Sequence, residues 1–174
     1  LKVTTSLDYS MQEKAEKVIT KFAPGLAEQF NASNTAMVAI DPKTGDILTM
    51  VGSRNYFDKE IDGNFNVATA FRQPGSTFKP FVYATAFMKG YTPDTMLFDV
   101  DTEFSTKCTV DGKPKNPSDD ATKVCYSPEE YDGIFEGPMT VRQALAHSRN
   151  VPAVEALYLA GIQDSIETAE AMGI

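Results

Sequence analysis

Pro74-Gly75-Ser76-Thr77-Phe78-Lys79-Pro80-Phe81-Val82-Tyr83 is where the chain passes from a polar connection into a helical pattern. Phe78, Val82, Thr85, Ala86 and Met88 can be buried together before Gly90 stops the run. Pro80 has no N–H to give and is tolerated only in a first turn, so the helix must begin close to Ser76. That start sets the Ser76 hydroxyl and the Lys79 amine on one face, three residues apart. A serine hydroxyl is a weak nucleophile at neutral pH and needs a proton acceptor. A lysine can accept that proton only if burial or a neighbouring cation lowers its pKa from about 10.4. The unpaired N–H groups of the helix start, Ser76's own among them, favour a developing oxyanion.

Upstream, Leu7, Met11, Ala15, Val18, Ile19 and Phe22 fall on one side of a helical pattern over 6–22, which Pro24-Gly25 is expected to end. Two apolar runs follow, Ala36-Met37-Val38-Ala39-Ile40 and Ile47-Leu48-Thr49-Met50-Val51, with Asp41-Pro42-Lys43-Thr44-Gly45-Asp46 between them. They read as strand, turn, strand, and their near-continuous hydrophobicity predicts cover on both faces. Downstream, 99–138 is rich in Asp, Gly, Pro, Lys and Ser without sustained period and reads as a long functional or disordered loop. Helical patterns resume at 140–147, 152–159 and 164–172, with Gly161 and Gly173 as stops. Two strands are marginal alone, so further strands are expected to complete the sheet.

The 174 residues, 42% apolar and 23% charged, suit one ordinary globular domain. A net charge of -8 argues against nucleic acid or an anionic membrane surface as partner. No apolar run approaches the roughly 20 residues of a membrane span, and the fragment reads as soluble. Cys108 and Cys125 form neither a zinc constellation nor a close redox pair, so no metal is expected; two free thiols and one disulfide both fit.

Taken alone, Ser-x-x-Lys is unspecific: ten Ser and twelve Lys produce about 0.7 such patterns by chance, and Ser76 could simply cap a helix with Lys79 solvated. The longer stretch Phe65-Asn66-Val67-Ala68-Thr69-Ala70-Phe71-Arg72-Gln73-Pro74-Gly75-Ser76-Thr77-Phe78-Lys79-Pro80-Phe81-Val82-Tyr83, however, closely resembles the active-site segment of penicillin-binding proteins. Ala144-Leu145-Ala146-His147-Ser148-Arg149-Asn150-Val151-Pro152-Ala153 is similar to that family's Ser-x-Asn segment and follows the nucleophile in the family's order. The opening at 4–17 and the hairpin ending Met50-Val51-Gly52 resemble the start of the same transpeptidase domain. Asn66-x-Ala68-Thr69 and Arg72-Gln73-Pro74-Gly75 look more like the bifunctional class A type than the monofunctional class B type.

The resemblance implies an α/β fold of the β-lactamase/transpeptidase kind, an antiparallel sheet flanked by helices, with residues 1–174 as the N-terminal portion of the domain. It implies a peptidoglycan D,D-transpeptidase working without a cofactor: Ser76 attacks the D-Ala-D-Ala bond of a stem peptide, Lys79 is its base, Ser148 relays a proton to the leaving amine and Asn150 orients the substrate amide. β-Lactam antibiotics would acylate Ser76 and leave slowly. The parent protein is expected at the outer face of the bacterial cytoplasmic membrane, anchored there and carrying an upstream glycosyltransferase module. The rivals on the same motifs are a β-lactam or D-Ala-D-Ala hydrolase, which needs a base for water, and a non-catalytic β-lactam sensor.

Several other patterns are set aside. Lys43-Thr44-Gly45 spells the family's third motif but precedes the nucleophile and reads as a turn. The motif proper follows Ser-x-Asn in the family, so this stretch of chain is not expected to be active by itself. Ser53-Arg54-Asn55 reads as loop, and His147, adjacent to Ser148, as a partly exposed structural histidine. Ser118-Asp119-Asp120 and Glu129-Glu130 read as solvated loop charges, and Tyr126 and Tyr131 as packed beneath the loop.

Overall fold

Asp8 opens the first helix: its carboxylate accepts the Met11 N–H at 3.0 Å, relieving one of the unpaired donors of the first turn. The computed structural model describes all 174 residues, in two units, Leu1–Arg72 and Gln73–Ile174. In the first unit, α1 (Tyr9–Phe30) buries Ala15, Ile19 and Ala23 against a hairpin of β1 (Met37–Ile40) and β2 (Ile47–Val51). Gln12 stitches helix to strand, its amide accepting the Met50 N–H at 3.0 Å and donating to the Met50 carbonyl at 3.1 Å. Beyond the hairpin, Gly52 is backed by Asn66, and a Cβ there would collide with the Asn66 side-chain amide.

Two expectations for this unit are corrected. The helix does not end at Pro24-Gly25 but continues to Phe30 and closes on Asn31 in the left-handed conformation, φ 53°. Proline removes the hydrogen bond to the carbonyl four residues back, and here that residue, Thr20, is exposed, so water can take the bond's place. The hairpin is also covered on one face only. Met37 and Val51 pair across the strands and pack on the helix side, whereas Val38 and Ile40 remain exposed. The turn at Lys43-Thr44-Gly45 is as expected, with Asp41 accepting the Lys43 N–H and Gly45 at φ 79°.

In the second unit, a 3-10 turn over Gly75–Phe78 runs directly into α2 (Lys79–Met88), with Pro80 in its first turn, as the sequence required. Then come β3 (Met96–Asp99), a short α3 (Ala121–Val124), β4 (Gly137–Thr140), α4 (Val141–Ala146), α5 (Asn150–Ala160) and α6 (Ile162–Ala171). Val82, Tyr83 and Ala86 of α2, Leu97 and Met139 of the strands, and Ala144, Ala156 and Ala160 of the later helices form one core. The small alanines let α2 and α5 approach closely, and a buried Thr85 to Thr168 hydroxyl bond of 2.8 Å joins α2 to α6.

The segment 99–138 is more structured than its composition predicted. Its ends belong to the antiparallel β3–β4 pair, in register from Met96 opposite Thr140 to Asp99 opposite Gly137. Its middle is closed by a Cys108–Cys125 disulfide with a sequence separation of 17, which settles the alternatives left open for the two cysteines. In the chain-entropy model a loop of about this size contributes roughly 3 kcal/mol. Glu103 reinforces the staple, its carboxylate accepting from Ser105 N, Tyr126 N and Ser127 Oγ. No helix is long and apolar enough to cross a membrane.

Candidate active site

Thr140 and Gln143 form a reciprocal capping box that starts α4, and the helix lasts only to Ala146 before the chain must turn. The turn is made by Ser148, a non-glycine residue in the left-handed region at φ 54°, and Arg149 N then bonds back to the Ala144 carbonyl at 3.0 Å. An L-residue there carries a steric cost of roughly 1–2 kcal/mol. The consequence is a sharp corner between α4 and α5 that presents Ser148, Arg149 and Asn150 together.

Lys79 reaches this corner from the first turn of α2. Its Nζ donates to the Ser148 carbonyl, to the Arg149 carbonyl at 2.9 Å and to Asn150 Oδ1 at 2.8 Å, and lies 3.3 Å from Ser148 Oγ. Burial lowers the Lys79 pKa from its ordinary value; Glu130 opposes that shift and Arg149 adds to it. Of the four residues singled out from the sequence, Lys79 is therefore in contact with both Ser148 and Asn150. Ser76 stands one turn before Lys79, exposed at the head of the 3-10 turn, and none of the Lys79 hydrogen bonds goes to it.

Beneath the corner lies a charge network that sequence reasoning missed. The Arg149 side chain is 6% exposed, and its guanidinium bonds Asp99 at 2.8 Å and Asp132 at 2.9 Å, with Glu130 and Glu136 each at 3.5 Å and the Ile134 carbonyl as a further acceptor. Glu130, expected to be a solvated loop charge, is instead buried. Its carboxylate takes the Asn150 N–H at 2.7 Å and the Val151 N–H at 2.7 Å, the first amides of α5. Burial of an acid is tolerable here because two backbone N–H donors and a guanidinium offset its desolvation. The carbonyl of the adjacent Glu129 accepts from Asn150 Nδ2 at 2.8 Å. The only sequence signal for this arrangement is that Arg149 sits inside the Ser-x-Asn pattern while Asp99, Glu130, Asp132 and Glu136 lie far upstream at no fixed period.

Other expectations resolve simply. His147 is partly exposed and faces Glu136, Nδ1 to Oε2 3.3 Å, rather than Ser148. Tyr131 is 97% exposed and Tyr126 55%, so neither is packed beneath the loop; Tyr126 only leans on Phe104. Glu103 approaches both cysteines, but their sulfurs are bonded to each other and offer no thiolate to a metal.

A model of the family described as the penicillin binding protein transpeptidase domain matches residues 35–174. The whole chain is 36% identical to penicillin-binding protein 2D of Bacillus subtilis, of which it covers 22%. Across 73% of its length it is 39% identical to penicillin-binding protein 1A of Neisseria lactamica, of which it covers 14%. Among solved structures, penicillin-binding protein 1A of Haemophilus influenzae superposes with a TM-score of 0.63 at 29% identity, over 80% of this chain and 18% of that one. PonA1 of Mycobacterium tuberculosis does so with 0.72 at 24% identity, over 99% and 38%. The chain thus spans less than a quarter of the length of these two sequence relatives.

Proposed function

From the premise that this chain belongs to the penicillin-binding protein transpeptidase family and shares its β-lactamase/transpeptidase-like fold, we propose that its site performs D,D-transpeptidation of peptidoglycan stem peptides through an acyl-enzyme on Ser76. The observation that carries this reading is the convergence of Lys79, Ser148 and Asn150 one turn from an exposed serine.

Ser76 Oγ attacks the carbonyl carbon of the D-Ala-D-Ala peptide bond and its proton passes to the neutral Lys79 amine. Negative charge gathers on the carbonyl oxygen, opposite the Ser76 N–H at the head of the helical segment. The C–N bond then breaks. Ser148, whose hydroxyl oxygen lies 3.3 Å from Lys79 Nζ, hands its proton to the departing D-Ala amine and takes in its place the one Lys79 received from Ser76. The amine of a second stem peptide attacks the ester, releases Ser76 and takes the acyl group as a new amide. Asn150 spends one side-chain N–H on the Glu129 carbonyl and keeps a second for the substrate amide. With a β-lactam the cleaved amine stays tethered to the acyl group and blocks the acceptor, so the ester persists.

The likeness to penicillin-binding proteins 2D and 1A supports the bifunctional class A type for the parent protein. In that reading it is anchored at the outer face of the cytoplasmic membrane with an upstream glycosyltransferase module. The test is a D-Ala-D-Ala-terminated stem peptide supplied with an acceptor amine. The expected result is D-Ala release coupled to a new amide, its share rising with acceptor concentration. Release with hydrolysis alone would make the protein a D-Ala-D-Ala hydrolase, and penicillin acylation without either product would make it a sensor.

A further inference from the structure

We propose that Glu130 is a positioning residue for the Ser148–Asn150 corner, acting through its buried carboxylate on the main chain of that segment. The inference rests on the transpeptidase reading above and adds to it a residue that lies outside both motifs.

The geometry begins at the start of α5. Its N-cap residue, Arg149, makes no capping bond of its own, so the leading amides of the helix need another acceptor. Glu130 supplies it from 20 residues upstream: both carboxylate oxygens accept the Asn150 N–H, at 2.7 and 2.8 Å, and one also accepts the Val151 N–H at 2.7 Å. A serine or aspartate cap would satisfy the helix locally. A cap from the loop does more, because it ties the corner to the segment carrying Glu129, whose carbonyl holds the Asn150 side chain. Every acceptor of Lys79 lies on Ser148, Arg149 or Asn150, so the corner that Glu130 fixes is the one that Lys79 must meet. A displacement of about 1 Å in such a contact costs on the order of 100-fold in rate.

Glu130 also sets the charge around Lys79. The charged groups acting on the amine are Glu130, from the loop before β4, and Arg149, at the start of α5. Tyr83, one turn further along α2, is buried with its pKa raised by burial, and stays neutral at working pH. Ser148 and Asn150 carry no charge. Glu130 raises the Lys79 pKa and Arg149 lowers it. Removing the Glu130 charge therefore moves the pH at which Lys79 becomes a free base downward.

The experiment measures the second-order rate of acylation by a fluorescent penicillin against pH for the parent protein as wild type, Glu130→Gln and Glu130→Ala, with a melting curve for each. Glutamine keeps an acceptor for the two amides and loses the charge. It is expected to melt cooperatively, to acylate about tenfold more slowly, and to show its rising pH limb at lower pH than wild type. Alanine is expected to lose roughly 100-fold. Rates within about twofold of wild type in both variants, with the limb unmoved, would overturn the proposal. So would loss of the melting transition in both, which would assign Glu130 to the fold rather than to the corner. An unlabelled wild-type protein would overturn the transpeptidase reading and this inference with it, whereas full-speed labelling of both variants overturns this inference alone.

Discussion

Arg149→Leu is expected to lower the unfolding free energy by about 3–5 kcal/mol, the cost of leaving a buried ion network without its cation. Asp99 is fully buried, its Oδ2 bonded to Arg149 Nε at 2.8 Å and to the Glu136 N–H at 3.0 Å, while its Oδ1 has no partner. Without the guanidinium, Asp99 and Glu130 would share a low-dielectric site as two like charges. Arg149→Lys should recover only part of the loss, because an ammonium cannot span acceptors that lie in the plane of a guanidinium fork. Urea denaturation followed by circular dichroism checks both variants, and a change below about 1 kcal/mol in the leucine variant would class the network with exposed pairs.

The second large effect concerns Lys79. Lys79→Met keeps the length of the stem that packs at the start of α2 and removes the proton acceptor, so acylation by penicillin should fall roughly 100- to 10,000-fold, the range expected for loss of a general base. Wild-type acylation should rise with pH as Lys79 loses its proton, since below its pKa the ammonium cannot accept the Ser76 proton. Burial, the largest influence on this amine, and then the Arg149 charge place that rise below the pH of an ordinary lysine, with Glu130 holding it back. In the methionine variant the rise should vanish along with most of the rate. A stopped-flow acylation series across pH decides the matter. A variant as fast as wild type with the same pH limb would remove Lys79 from the role of base.

How far the sequence could be read depended on whether the governing interaction was local. Pro80 fixed the start of α2 by a rule acting within one turn, and the helical pattern over 140–147 marked α4 by spacing that is equally local. The β3–β4 pair left no such mark. Each strand has four residues, one carries Pro138, and their pairing joins Met96 to Thr140 across the whole loop. Pro24 misled because the cost of a helical proline depends on where the freed carbonyl points, and that is a tertiary fact. The same division runs through the site. Ser76, Lys79, Ser148 and Asn150 sit in compact patterns, whereas the burial of Glu130 depends on Arg149 and on two α5 amides distant in sequence. An acidic residue in a polar loop looks solvated until its partners are known.

In the proposed mechanism Ser76 is the acylated nucleophile. Intact-mass measurement of the parent protein after incubation with penicillin, as wild type and as Ser76→Ala, tests this. A single adduct of the mass of the antibiotic is expected on the wild type, mapping by peptide digestion to Ser76, and none on the alanine variant. An adduct of equal yield on Ser76→Ala, or no adduct on a wild-type protein shown to be folded, would contradict it.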